Sequence, residues 1–495
     1  MAQKLTLIQK AAFGSGHLVN NLLPGALGVF AFFLITAFGI EPAIAGLLTA
    51  IPRFVDAISD PIMGFVSDNT SSKWGRRRPY IFVGAILVSF LFIIQWQMYE
   101  ANGSTYNFWY FLCFSILFIL ANTVFSTPLI GLGYEMTSDT KERTYLMGFA
   151  NTIGQISWMI VPLFWVLIAN KDLFESQADG VRTLSMFVGF ACLIFGLMPA
   201  IFCREMNETE KENKAKLTFG NMLKNLATLW RDIKNISKNN PFMRLCGATF
   251  LVFNGFQMVA SFSYFIIVYY MYKGSYEAAG TVPAFFSIIG AILTAFMVIP
   301  IVTFLADKFG KRKAFMITTF ISIIGYMLKW WGFFEVDEQS VILFKDAAIQ
   351  IGVVRFPLEI PLMLLLPVPF MAFGLGGLFT LMMSMTADVC DLDELLNGLP
   401  RREGTFGAIY WLMIKVGQSI ALVLGGLVLS LVGFDAGKTL QTSETITQLR
   451  IFDIVIPCFT AFLAILVMKN YSLNEDRVAK IKADLEERRR EKIKI

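Results

Sequence analysis

Apolar residues fall into about 12 long blocks along this chain, each near the roughly 20 residues that an α-helix needs to cross a hydrocarbon layer. The blocks lie at about 14–39, 42–66, 80–100, 107–136, 145–169, 182–203, 242–272, 278–306, 314–333, 361–387, 404–433 and 447–469. The longest polar interruption, roughly 204–241, divides them six and six. The pattern predicts an all-α integral membrane protein with 12 transmembrane helices: a six-helix bundle over 1–204, a loop over 205–241, a second bundle over 242–470 and a charged tail over 471–495.

Composition agrees with the pattern: 56% of the 495 residues are hydrophobic and 48 are Phe, for a mean hydropathy of +0.60. The net charge of +5 changes meaning once it is placed. Most Lys and Arg lie in the N-terminus, in the loops after even-numbered spans and in the tail. The positive-inside rule then puts both termini and the 205–241 loop in the cytoplasm of a multi-pass cell-membrane protein, and the charge calls for no nucleic-acid partner. The start MAQKLTLIQK does not read as a cleavable signal. The six cysteines are scattered through or beside apolar spans without a CxxC pair or a histidine cluster, which predicts packing roles and no metal or redox cofactor. No catalytic triad, metal-ligand set or phosphate loop is present, so no enzyme is expected.

One stretch departs from the apolar pattern. Asp56 and Asp60 lie four residues apart inside the second span, on one helical face, and the span ends in Lys73-Trp74-Gly75-Arg76-Arg77-Arg78. Ionisable groups at membrane depth are costly and mark function. Apart from charges at the loop edges, only Arg53, Lys329 and Lys415 supply positive charge at or within spans. Two readings stand: a structural node of the acids with Arg53 and Lys415, or a cation site. Pro61 lacks an N–H, which frees the Ala57 carbonyl as a ligand or a kink. In the central loop, Leu217, Phe219, Met222, Leu223, Leu226, Leu229, Trp230 and Ile233 alternate with Lys and Arg, predicting an interfacial amphipathic helix; the tail reads as a solvated charged helix.

An internal repeat supports the six-plus-six division. Asp68 and the Trp74-Gly75-Arg76-Arg77-Arg78 run after span 2 are echoed after span 8 by Asp307-Lys308-Phe309-Gly310-Lys311-Arg312-Lys313. Met136-Thr-Ser-Asp139, leaving span 4, is echoed by Met385-Thr-Ala-Asp388, leaving span 10, and Gly154-Gln155 by Gly417-Gln418. Two homologous halves related by an axis along the membrane normal follow.

The Asp-Pro-Ile-Met-Gly run, the Lys-Trp-Gly-Arg-Arg-Arg-Pro loop, its duplicate, and Ala387-Asp388 followed by Asp391 resemble the glycoside-pentoside-hexuronide cation symporters, of the melibiose permease type, within the major facilitator superfamily. The resemblance covers essentially all twelve spans and implies the major facilitator fold. It implies that Asp56, Ser59, Asp60 and the helix-4 hydroxyl of Thr123 bind Na⁺ or H⁺, and that Lys415, with Arg53 nearby, couples to that site. Two carboxylates one turn apart in a low dielectric repel, which a bound proton or cation relieves, and Na⁺ favours such oxygen ligands. Superfamily members lock their cytoplasmic ends with Asp and Arg pairs. Here that implies Asp68 with Arg76, Arg77 and Arg78, Asp307 with Lys311, Arg312 and Lys313, and a network of Asp139, Arg143, Asp388, Asp391, Arg401 and Arg402.

The family's sugar contacts are rewritten. Helix 1 carries no acid, the helix-5 arginine position is Asn151, the helix-4 acid position is Ser126, and the sugar-stacking tryptophan position is Ile130. His17, Asn20, Asn21, Asn122, Asn151, Gln155, Asn254 and Gln257 are the polar candidates for a central cavity, with Trp158, Tyr264, Phe379 and Trp411 as stacking surface; each polar group also serves as a helix-to-helix tie in the alternative reading. The expectation is a monomeric secondary transporter that couples a monovalent cation to a sugar-like solute. Carriage of an amphipathic solute such as a lysolipid, or a non-transporting receptor or scaffold role, are the alternatives.

Overall fold

The computed structural model of the chain describes residues 5–70, 72–137, 140–205, 231, 234–337, 340–345, 348–351, 354–357, 359–397, 403–438 and 440–493. Among these, twelve helices are long and apolar enough to span a membrane. In the first half they are α1 (Leu7–Thr36), α2 (Pro42–Asn69), α3 (Arg78–Gln95), α4 (Ser104–Glu135), α5 (Thr140–Ile160, resuming as Leu163–Ala169) and α6 (Gln177–Phe202). In the second half they are α7 (Asn240–Ile266), α8 (Val282–Leu293, resuming as Ile299–Phe309), α9 (Lys311–Gly332), α10 (Val368–Asn397), α11 (Glu403–Leu431) and α12 (Ser443–Lys469). A thirteenth helix, α13 (Glu475–Ile493), follows the last span. An even number of crossings brings both termini to one face, called here the terminal face.

Local chemistry sets the helix starts. Thr6 and Gln9 form a reciprocal capping box ahead of α1, and Ser176, Asn239 and Thr442 cap α6, α7 and α12 with side-chain oxygens, satisfying amides that have no helical partner. Prolines act unequally: Pro162 precedes the resumed part of α5 and breaks it there, while Pro52 and Pro61 lie within a continuous α2. Two π turns, Ile267–Met271 extending α7 and Thr294–Val298 inside α8, were not predicted; such turns add a residue without altering hydropathy. The α9–α10 connection adds β1 (Ile342–Leu343), β2 (Ala348–Ile351), β3 (Val354–Pro357) and β4 (Ile360–Pro361) to an otherwise helical chain. β1 pairs antiparallel with β4, and β2 with β3, with Ile349 opposite Phe356.

The halves close on each other at the face opposite the termini. Tyr264 of α7 stacks on Trp165 of α5 with ring centroids 3.5 Å apart. Phe32 of α1 lies 4.6 Å from both Tyr264 and Phe265. One continuous buried cluster runs through these residues into both halves, whereas a second cluster belongs to the second half alone. At the same face α2 and α11 touch backbone to backbone: a Cβ on Gly46 would sit 2.5 Å from the Leu422 carbonyl, and one on Gly426 2.3 Å from that of Pro42. Ala43 N–H donates to Ser430 Oγ at 3.2 Å nearby.

The tail is not a free solvated helix. Ile481 and Leu485 of α13 are buried in the core of the second half, and Arg488 donates to the Leu395 carbonyl at the end of α10 at 3.1 Å. The amphipathic segment expected within 205–241 lies almost entirely outside the described residues.

Candidate cation site between the two halves

α2 presents Asp56 and Asp60 one turn apart, and α4 presents Thr123 and Thr127 with the same spacing, so the two helices meet as a two-rung ladder. Thr123 Oγ1 donates to Asp56 Oδ1 at 3.1 Å, and Thr127 Oγ1 donates to Asp60 Oδ1 at 3.3 Å. Ser59 Oγ lies 2.9 Å from Thr123 Oγ1, which brings a third hydroxyl to the upper rung. The remaining carboxylate oxygens face Lys415 of α11: its Nζ is 2.7 Å from Asp56 Oδ2 and also pairs with Asp60 Oδ2. The cluster is graded in access, with side-chain exposure of 7% at Asp56, 34% at Asp60 and 27% at Lys415.

The resemblance anticipated Asp56, Ser59, Asp60, Thr123 and Lys415 as one group, and the structure brings them together. Thr127 was missed, although its four-residue spacing from Thr123 mirrors that of the acids. Arg53 approaches from another side: it lines a small apolar niche with Leu27, Phe111, Phe118 and Ile119, and Asp56 is its electrostatic neighbour. Counting Arg53, two carboxylates and two cationic side chains balance. All the uncharged donors are hard oxygens, and the Pro61 ring leaves the Ala57 carbonyl without its helical amide, so the set suits a small monovalent cation as well as a proton.

The candidate solute residues separate into three kinds. Asn151 and Gln155 are exposed along one side of α5 with Trp158. Phe379 of α10 and Trp411 of α11 are also exposed, with rings near parallel at 27° and centroids 6.5 Å apart; Trp411 lies one turn before Lys415. Asn254 is engaged within the second half, donating from Nδ2 to the Gly417 carbonyl at 3.0 Å, and Gln257 is half-buried one turn further along α7. His17 packs its ring 4.8 Å from Phe13, and its Nε2 is buried with no hydrogen-bond partner among the described residues. Asn20 beside it is half-buried, and Asn21 Nδ2 donates to the His17 carbonyl at 3.0 Å. Asn122 and Ser126 are buried on α4. Tyr264 belongs to the closed face described above.

At the terminal face the repeat becomes structural. Arg77 Nη2 reaches Asp68 at 2.6 Å and Glu135 at 2.7 Å, and Arg76 Nε donates to Glu135 at 3.0 Å. Arg78 caps α6 through the Ala200 carbonyl at 2.8 Å. In the second half Arg312 caps the end of α12 through the Tyr471 carbonyl at 3.2 Å. Glu205 accepts from the amides of Arg76 and Arg77, each at 2.8 Å, and Glu475 accepts from that of Lys311 at 2.8 Å. Both carboxylates pack against a glycine in the left-handed region, Gly75 (φ 97°) and Gly310 (φ 86°), where a Cβ would strike them. Glu135, Glu205 and Glu475 were not anticipated.

The expected pairing of Asp307 with Lys311, Arg312 and Lys313 is not what forms. Lys311 Nζ turns instead to Asp388 of α10 at 2.5 Å, joined there by Lys482 of α13 at 3.7 Å, while Asp307 is exposed. The buried Asp388 gains more from an ammonium than a solvated Asp307 does. Asp391 lies on α10 just beyond it. Asp139, Arg401 and Arg402 lie outside the described residues, as does the side chain of Arg143. Each of these ion pairs joins groups of one half.

Two pseudo-equivalent six-helix halves that meet at a membrane-embedded charge cluster define the architecture of a major facilitator transporter. The family description MFS/sugar transport protein matches residues 12–475. The chain is 23% identical over 501 residues to the glucuronide carrier protein homolog of Escherichia coli strain K12, covering 99% of this chain and 98% of that one. It is 22% identical over 462 residues to the isoprimeverose transporter of Lactiplantibacillus pentosus, covering 92% and 86%. Among solved structures, an inward-facing, unoccupied bacterial homolog of the human lysosomal transporter Spinster aligns with a TM-score of 0.64 at 15% identity, covering 94% and 98%. A D-xylose–proton symporter aligns with a TM-score of 0.57 at 14% identity, covering 94% and 97%. The chain belongs to the MFS/sugar transport protein family and is a multi-pass protein of the inner or plasma membrane.

Proposed function

We propose that the protein is a symporter that couples entry of a monovalent cation, Na⁺ or H⁺, to that of a sugar or glycoside by alternating access. The observation that carries this reading is Lys415 of the second half bonded to both Asp56 and Asp60 of the first. With Arg53 the site is already neutral, so a cation enters by taking the carboxylates from Lys415. That exchange removes an ionic tie between the halves and leaves the ammonium free to move, which makes cation loading a conformational event. The exposed Phe379–Trp411 pair one turn from Lys415 offers an apolar face suited to a pyranose ring, and Asn151 and Gln155 supply hydrogen bonds. Relatives named as a glucuronide carrier homolog and an isoprimeverose transporter support a glycoside as the solute. The basic terminal face is cytoplasmic, so the aromatic closure faces outward and the described state opens inward.

Purified protein in proteoliposomes tests this directly. A Na⁺ or proton gradient should drive accumulation of a glycoside, and Asp60→Asn should abolish uphill accumulation while facilitated exchange persists. Accumulation by Asp60→Asn equal to that of the unmodified protein would refute the cation assignment.

A further inference from the structure

A second buried ion pair lies away from the candidate cation site. Lys329 of α9 and Asp453 of α12 pair inside the second half, 1% and 2% exposed. Lys329 Nζ also donates to Ser263 Oγ of α7 at 3.0 Å and sits 4.6 Å from the centroid of the Phe333 ring. Asp453 Oδ1 is buried with no hydrogen-bond partner among the described residues. Arg450, one turn before Asp453, donates to the Tyr270 hydroxyl at 3.0 Å and to the Trp330 and Phe333 carbonyls at 2.6 and 3.2 Å.

The repeat supplies an internal control for this pair. In the first half Arg182 of α6 donates to the Met98 carbonyl beyond α3 at 3.0 Å and lies over the Tyr99 ring at 4.3 Å. Arg450 of α12 likewise donates to the Phe333 carbonyl beyond α9 at 3.2 Å, and it lies over the rings of Trp330, within α9, and of Tyr270, each at 4.3 Å. Aligning Arg182 with Arg450 and Met98 with Phe333 sets Ser185 opposite Asp453 and Ile94 opposite Lys329. The first half is neutral there: Ser185 Oγ accepts from Gln97 Nε2 at 3.3 Å. The fold therefore closes without a charge pair at this place. Burying two ions carries a large desolvation cost before their attraction is counted, so the second half carries a cost that its counterpart avoids.

What distinguishes the second half is the helix that the pair holds. Ser263 is followed by Tyr264, the residue that stacks on Trp165 across the two halves. Adjacent helical residues point about 100° apart, so one turn of α7 is tied to Lys329 on its inner side and closes the gate with its next side chain. Beyond it α7 passes into the π turn Ile267–Met271, where helical bonding is looser. We propose that Lys329 and Asp453 are positioning residues for the closure opposite the termini: through Ser263 they fix the rotation of α7 that presents Tyr264 to Trp165. Without the pair, the end of α7 turns more freely and the closed arrangement loses population. This inference rests on the alternating-access reading but not on the identity of the solute.

The test replaces the pair with the first half's own neutral residues, as the double variant Lys329→Ile with Asp453→Ser in the full-length chain. Cysteines replacing the exposed Asp172 and Ser275, in a background with the native cysteines substituted, carry nitroxide labels in the α5–α6 and α7–α8 connections. Pulsed dipolar spectroscopy in liposomes without solute then reads the gate directly, so a failed sugar assignment leaves the measurement intact. The double variant should elute as a monodisperse folded protein and lose about half or more of the short-distance population, while Asp453→Glu, which keeps the charge pair, should retain most of it. A native distance distribution in the double variant, or its failure to fold, assigns the pair to stability alone and overturns the proposal.

Discussion

Lys415 Nζ lies 2.7 Å from Asp56 Oδ2, so an ammonium carried by one half of the molecule is held by a carboxylate of the other. The same ammonium pairs with Asp60, and the two acids have their other oxygens occupied by threonine hydroxyls. Under the proposed symport a cation and Lys415 would compete for the same two oxygens. Lys415→Gln removes the competing charge while keeping a polar, unbranched side chain. Loss of one unit charge a few ångströms away changes the site by more than about 1 kcal/mol even in a fairly polar surrounding. The expected outcome is Na⁺ binding about tenfold tighter by calorimetry, with uphill solute accumulation lost. Unchanged Na⁺ affinity would show that Lys415 does not contest the site.

The two-rung ladder predicts that Thr127 matters as much as Thr123. Each hydroxyl donates to one carboxylate in the described state, and under the proposed symport each would turn a lone pair to the bound cation. A hydrogen bond to a charged group contributes about 1.5–3 kcal/mol, so Thr127→Val should weaken cation-dependent thermal stabilisation by tenfold or more in the cation concentration required. Thr127→Ser should restore it. A Thr127→Val titration that overlays the native one would remove Thr127 from the site.

Much of the architecture was legible because a bilayer demands long apolar helices and prices every exception. The twelve spans and their division followed from that alone, and Asp56 and Asp60 stood out as paired acids in an apolar stretch. The limits of the reading are physical too. The tenth span was expected to end near 387, yet α10 continues to Asn397, because Asp388, Asp393 and Glu394 are buried by protein and hydropathy counts them as solvated. Thr127 is invisible as a single hydroxyl and acquires meaning only when α4 is laid beside α2. Lys329 was visible as a buried charge, but its partner Asp453 is a lone acid three spans later. Ile481 and Leu485 look like scattered apolar residues in a charged tail until the end of the second half supplies a surface for them.

The backbone contact between α2 and α11 makes a steric prediction. Gly426 has the Pro42 carbonyl where a Cβ would be, at 2.3 Å, and backbone on both sides leaves nothing flexible to yield. Gly426→Val should push the two helices apart at the face opposite the termini and block its closure. Solute binding from that side should persist while net transport falls by about tenfold or more. The measurement is ligand-induced thermal stabilisation alongside proteoliposome flux. Full flux in Gly426→Val would mean that the crossing loosens at no cost.

The pseudo-equivalent carboxylates Glu205 and Glu475 should differ in weight despite their matching positions. Glu205 accepts from two backbone amides ahead of α3, those of Arg76 and Arg77, whereas Glu475 accepts from one, that of Lys311 at the start of α9. An anion at a helix start also interacts favourably with the exposed amide dipoles, by about 0.3–1 kcal/mol at a solvated site. Each charge-assisted bond adds a contribution of about 1 kcal/mol or more. Glu205→Ala should therefore lower the apparent melting midpoint in detergent more than Glu475→Ala does, with Glu→Gln at each position recovering part of the loss. Glu475→Ala carries a second consequence, because Glu475 opens α13: protease cleavage in the stretch after Leu473 should accelerate as the tail lets go of α9, whereas Glu205→Ala should leave that cleavage rate unchanged. Equal destabilisation by the two alanine variants, with no change in tail cleavage, would show that α13 is held by Ile481, Leu485, Lys482 and Arg488 without help from Glu475.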